Sequence, residues 1–216
     1  MNKTFWAIIA IIVIVFGGIL FFKHNNTSTT NSSSSNSSSQ PTSHTTGQGK
    51  SGITLVEYGD YQCPFCGEIF PIVNQVVQKY NEQITYQFRN LPLIQIHQNA
   101  FAAARAAEAA GKQNKYWEMH DWIYQNQSAW SSAGNVQAIF SSYAQQLGIN
   151  VDQFKKDFAS AAVNDSINAD INAFKKTGQD MATPTFFLDG KKISPTPTSV
   201  DDFSKLIDAK ISAKKQ

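Results

Sequence analysis

The chain has 216 residues and two cysteines, Cys63 and Cys66, with only Pro64 and Phe65 between them. A scaffold disulfide stabilises by closing a long loop of the unfolded chain. A pair this close closes almost none, so its chemistry is exchange rather than bracing. Cys63 falls where a helix begins. There the helix dipole and free backbone N–H groups favour the thiolate and lower its pKa. The thiolate is the attacking species in disulfide exchange and the better leaving group. Cys66, one turn further in, suits the resolving role. Structural zinc is the competing reading, and it wants four ligands. A second cysteine pair is missing, His97 and His120 stand 23 residues apart, and His24 and His44 lie near the amino terminus. Neither a metal nor any other cofactor is expected.

Elements on both sides position the pair. Ile53–Tyr58 alternates, is β-branched and predicts a strand. Gly59–Gln62 turns the chain, and Pro64 takes the first helical position, where its missing N–H costs nothing. The helix is expected to run to about Tyr80, with apolar residues Phe65, Ile69, Ile72, Val73, Val76 and Val77 at three- and four-residue spacing and a kink at Pro71. Ile84–Arg89 predicts a second strand, parallel to the first across the intervening helix. His97–Thr177 reads as successive helices, with turns at Gly111, Ser131–Gly134 and Gly148–Asn150. The aromatic group Tyr116, Trp117, Trp122, Tyr124 and Trp130 is read as core, not as a binding box. Thr185–Ile193 predicts a hairpin turning at Asp189-Gly190, and Ser199–Asp202 caps a last helix to about Ala213. The layout is α/β with an all-helical insertion over about 97–177.

Two further positions bear on the cysteines. Glu57 lies six residues before Cys63 on the first strand. It either faces inward, where it can take the proton of Cys66, or points outward on an edge face; a buried acid is costly without such a use. Thr183-Pro184 precedes the third strand. A cis bond there would expose the Thr183 backbone to a peptide, and an ordinary loop proline is the alternative.

The first fifty residues have a different composition. Phe5–Phe22 is an unbroken apolar run, about 27 Å long as a helix, close to the thickness of a bilayer core. Its exit, Leu20-Phe21-Phe22-Lys23, lacks the small residues of a signal cleavage site. Residues 1–24 are therefore read as a single-pass membrane anchor in preference to a cleaved signal. Residues 25–51 are almost entirely Ser, Thr, Asn, Gln and Gly, and are read as a disordered tether to a folded domain at 52–216. Met1–Ser51 holds three Lys and no acid, so the remainder carries 15 Lys and Arg against 16 Asp and Glu. Its lysine pairs are scattered, and a nucleic-acid partner is excluded for want of a basic face.

Three segments, Glu57–Gly67, Lys115–His120 and Thr183–Gly190, together resemble the DsbA-like branch of the thioredoxin superfamily, a likeness covering Ile53–Ile211. That resemblance implies a thioredoxin fold with a helical insertion and a thiol:disulfide oxidoreductase whose nucleophile is Cys63 and whose resolving thiol is Cys66. It also implies that Pro64, Phe65, Thr183 and Pro184 meet the substrate and that Glu57 is the buried acid. The expected partners are reduced or unfolded exported proteins and a quinone-linked membrane reoxidant, with the domain on the extracytoplasmic side. A reductase or isomerase of the same fold, or a non-catalytic peptide-binding module, is the alternative. The departure is Phe65, where strong oxidants of the family carry His; an imidazolium stabilises the thiolate and a phenyl ring does not.

Overall fold

The computed structural model describes residues 40–214. The expected anchor at 1–24, with its helix 5–22, and most of the expected tether lie outside them. Among the described residues no helix is long and apolar enough to cross a membrane.

Five strands form one sheet in the order β1-β3-β2-β4-β5. They are β1 (Thr45–Thr46), β2 (Ile53–Gly59), β3 (Ile84–Asn90), β4 (Thr185–Leu188) and β5 (Lys191–Lys192). The helix α1 (Pro64–Lys79) crosses over between β2 and β3, which pair in parallel from Ile53↔Ile84 to Gly59↔Asn90, as the spacing predicts. β4 runs antiparallel to β2 and turns into β5. The last helix, α8 (Val200–Lys214), begins with the expected capping box: the Asp202 N–H donates to Ser199 Oγ, which donates back to the Asp202 carboxylate.

The insertion comprises α2 (Ala100–Gly111), α3 (Tyr116–Gln125), the short α4 (Gln127–Trp130), α5 (Val136–Gln146), α6 (Val151–Phe158) and α7 (Ala161–Lys175). Its centre is α2, packed against α3, α5, α6 and α7. Seven buried alanines on α2 let four helices approach it closely. The aromatic group is core, as expected: Tyr116, Tyr124 and Trp130 are buried, and Trp117 and Trp122 pack against the same cluster.

The tether reading fails over its last twelve residues. Thr45 and Thr46 form β1 against Gln87 and Tyr86 of β3. Thr42 is buried and donates its N–H and its hydroxyl to the two carboxylate oxygens of Asp170, at 2.8 and 2.7 Å. His44 stacks on Tyr116, ring centroids 3.4 Å apart, and its Nε2 meets Glu108 at 2.9 Å. Gln48, Lys50 and Ser51 donate backbone N–H groups to the carbonyls of Asn81, Glu82 and Gln83. Low hydrophobicity disguises the segment, because hydrogen bonds to an open sheet edge and to buried acids hold it in place of apolar burial.

Candidate functional site

Cys63 is the N-cap residue of α1, in extended conformation, with Pro64 at the first helical position. The turn before it is held by Asp60, whose carboxylate is buried and accepts from the N–H of Gln62 at 2.7 Å and of Leu93 at 2.8 Å, and meets His97 Nδ1 at 2.7 Å. The Asp60 carbonyl accepts the Cys63 N–H. From the other side the Gln127 amide donates to the carbonyls of Tyr61 and Cys63, at 2.7 and 2.9 Å. The start of α1 is therefore clamped by side chains from the β3–α2 loop and from α4.

The two thiols differ sharply. Both are free in this structure. Cys63 is 8 % exposed, and its Sγ lies 3.5 Å from the Thr183 carbonyl oxygen. Its pKa is lowered to about 5, chiefly because the Cys66 thiol donates to its sulfur. The Thr183 side chain and the backbone amides of Cys66 and Phe65 add to this, against a smaller opposing effect of burial. The Thr183 hydroxyl is buried with no hydrogen-bond partner among the described residues, so its effect on the sulfur is one of proximity rather than of a formed bond. Cys66 is wholly buried, and burial pushes its thiol well above the ordinary range. Pro64 and Phe65, between them, are exposed.

Glu57 points inward. It is 3 % exposed, and burial raises its pKa to about 7, offset in part by the Tyr86 hydroxyl, which donates to Oε2 at 2.6 Å. Its charge is felt at Cys66. An acid poised near neutrality within electrostatic reach of a thiol held high is a pairing suited to proton transfer. The Thr183–Pro184 bond is cis, and Pro184 is buried while Thr183 is partly open. The structure thus gathers all seven expected residues, Glu57, Cys63, Pro64, Phe65, Cys66, Thr183 and Pro184, at one end of the sheet.

Three contributors escape the reading of the sequence. Tyr86 is within reach of register reasoning: the parallel pairing sets it opposite Leu55, diagonal to Glu57 on the same face. Gln127 carries no such signal and Asp60 only its local turn to the Gln62 N–H, because their other partners lie across loops and helices. No group of three or more His, Cys, Asp or Glu gathers around a potential metal position among the described residues.

Comparison with known proteins agrees with this arrangement. The chain is 21% identical to BdbD from Bacillus subtilis, covering 81% of this chain and 97% of that one, with a TM-score of 0.68. A variant of alpha-DsbA1 from Wolbachia pipientis is 21% identical over 81% and 94%, TM-score 0.67. A thioredoxin-like oxidoreductase from Silicibacter pomeroyi is 23% identical over 80% and 92%, TM-score 0.64. These likenesses give the fold. Among curated relatives, the Na(+)/H(+) antiporter NhaA 1 of Salinispora arenicola is 35% identical over 153 residues, which make up 69% of this chain and 22% of that protein. The chain therefore spans about a fifth of that relative's length. The family model described as Thioredoxin matches residues 39–209, and the chain belongs to that family.

Proposed function

We propose that this chain is a thiol–disulfide oxidoreductase acting outside the cytoplasm, tethered by its amino-terminal apolar run, that donates the Cys63–Cys66 disulfide to reduced exported proteins. A client thiolate attacks Cys63 Sγ, and Cys66 leaves as a thiolate that takes its proton from Glu57. A second client thiolate attacks the client sulfur of the mixed disulfide and releases the Cys63 thiolate. The client loses two electrons and the cysteine pair gains them. A membrane partner then restores the disulfide and passes the electrons to a quinone. The expected DsbA-like chemistry motivates that last step, and the apolar run Phe5–Phe22 motivates the membrane setting.

The observation that carries the reading is the inversion of the two thiols: Cys63 held down to about 5 beside the Thr183 carbonyl, and Cys66 held high beside Glu57. A stabilised Cys63 thiolate favours the reduced protein and makes the pair an oxidant. Phe65 and Met181, apolar yet 38% and 43% exposed, flank Cys63 and Thr183 in the chain and suit an unfolded client.

The test is the reduction potential of the pair against glutathione. A value toward about −120 mV supports the oxidant, and one near about −270 mV replaces it with a reductase. The pH dependence checks the cause. Above the Cys63 pKa of about 5 the reduced pair carries one proton, so the potential falls by about 30 mV per pH unit, against about 59 mV below it. Cys63→Ser is expected to reduce peptide oxidation to the uncatalysed rate. Turnover left unchanged by it would refute exchange through Cys63.

A further inference from the structure

Tyr61, Tyr86, Tyr116 and Tyr124 are buried in the same core cluster as the wholly buried Cys66. Three of their hydroxyls are engaged. Tyr86 donates to Glu57, and Tyr61 and Tyr116 share a contact at 3.3 Å, with Tyr61 also on His120 Nδ1 at 2.9 Å. The fourth, Tyr124 on α3, has a buried hydroxyl with no hydrogen-bond partner among the described residues. Its ring is fixed, with centroids 4.8 Å from Tyr61, 5.0 Å from Phe70 and 5.1 Å from His120. A buried hydroxyl without a partner forfeits its hydrogen bonds to water, and native structures rarely tolerate one without a use.

The place of that hydroxyl indicates the use. A side chain on Gly59 would meet it at 3.0 Å, so it rests against the end of β2. Gly59 follows Glu57 by two residues, and strand alternation sends both to the same face. Cys66 and Phe70, one turn apart on α1, are buried in the same core cluster, and the Tyr124 ring stacks on Phe70. The titratable groups around the hydroxyl are Cys66 of α1, Glu57 of β2, Tyr86 of β3, Tyr61 of the intervening turn and His120 on its own helix. Burial is the first cause that holds the Tyr124 phenol protonated, and charge on Cys66 comes next.

We propose that the Tyr124 hydroxyl is the hydrogen-bond donor reserved for the Cys66 thiolate, vacant at rest and engaged while Cys66 is attacking or leaving. The inference rests on the exchange reading given above. When Cys66 resolves a mixed disulfide, its proton passes to Glu57, its sulfur attacks Cys63 Sγ, and the bond from Cys63 to the outgoing thiolate breaks. For that interval a full charge sits in a buried site. A buried donor that can turn onto the charge as it forms lowers the barrier.

Stopped-flow reaction of the reduced protein with one equivalent of a bis(nitrobenzoate) disulfide separates the steps. Attack by Cys63 releases the first coloured thiolate, and resolution by Cys66 releases the second. Wild type lacking the second release would refute the exchange reading itself. Given two releases, Tyr124→Phe, which removes one unpartnered oxygen and keeps the ring, is expected to leave the first rate unchanged. It is expected to slow the second about tenfold, the scale of one hydrogen bond to a charged group. The pH midpoint of the second rate should move up by about one unit, because a donor to the thiolate has been lost. An unchanged second rate and midpoint, or an equal slowing of both releases, overturns the inference. A merely structural hydroxyl would change thermal stability and neither of those readings.

Discussion

Two regions of this domain bury carboxylates, and they treat them in opposite ways. At the sheet edge, Asp170 accepts from the Thr42 N–H and hydroxyl, the Asn90 N–H and the Asn90 amide, with Arg89 at 4.0 Å. Its neighbour Glu108 takes the same Asn90 amide and His44. At the redox end, Glu57 has the Tyr86 hydroxyl as its side-chain donor, and it is as deeply buried. Burial raises both Asp170 and Glu57, but at Asp170 three donor contacts from Thr42 and Asn90 work against it. Asp170, surrounded by donors, fixes the chain around it. A carboxylate left with a single donor stays ready to exchange a proton. The same physical cost becomes a latch in one place and a proton carrier in the other.

The largest expected effect breaks the latch. Asp170→Ala strands the Thr42 N–H, the Thr42 hydroxyl and the Asn90 N–H in the interior and should cost about 5 kcal/mol, at roughly 1–3 kcal/mol per buried group left unpaired. Urea unfolding should show the midpoint falling, and proteolysis should open first at residues 40–46. The reduction potential should not move, because Asp170 takes no part in the exchange.

Glu57→Gln tests the other half. The folded pKa of about 7 stands above the ordinary 4.5, so Glu57 favours folding while protonated, and that contribution is lost as pH rises through 7. The amide that replaces the carboxyl cannot ionise and can still accept from Tyr86. The variant should exceed wild type in stability by about 3 kcal/mol above about pH 8, with the difference vanishing toward the carboxylate's ordinary pKa. Over the same range its mixed disulfides should resolve more slowly. Equal stability of the two proteins across that range would place Glu57 with Asp170 as a structural acid.

This contrast is only half visible in the chain itself. β2, α1, β3 and the final capping box read directly, because each obeys a period or a cap rule within a few residues. Cys63 and Cys66 are equally plain, since two cysteines at that spacing on a helix start have little structural use. The orientation of Glu57 is ambiguous from sequence because the end of β2, from Glu57 to Gly59, is buried throughout, and alternation carries no direction once both faces are covered. The latch is invisible there. Thr42 and His44 sit in a polar run that composition assigns to a tether, and their partners Asp170 and Glu108 lie 128 and 64 residues away. Local patterns report burial of apolar faces, and long-range polar satisfaction leaves no periodic trace.

The smallest expected effect sharpens the redox half of the comparison. Phe65 lies one residue before Cys66, exposed, with its backbone amide toward the Cys63 sulfur. Phe65→His places a titratable ring there without disturbing the buried face of α1. Below about pH 6.5, where the imidazole is charged, it adds a positive neighbour to the thiolate and lowers the Cys63 pKa further. Stabilising the thiolate tenfold makes the pair more oxidising by about 30 mV. Above that pH the ring is neutral and the shift should fade, a dependence that separates charge from packing. Potentials of the two proteins measured in parallel across this range check it. A shift that persists undiminished at high pH would mean that Phe65 acts by shielding the sulfur from water rather than by lacking a charge.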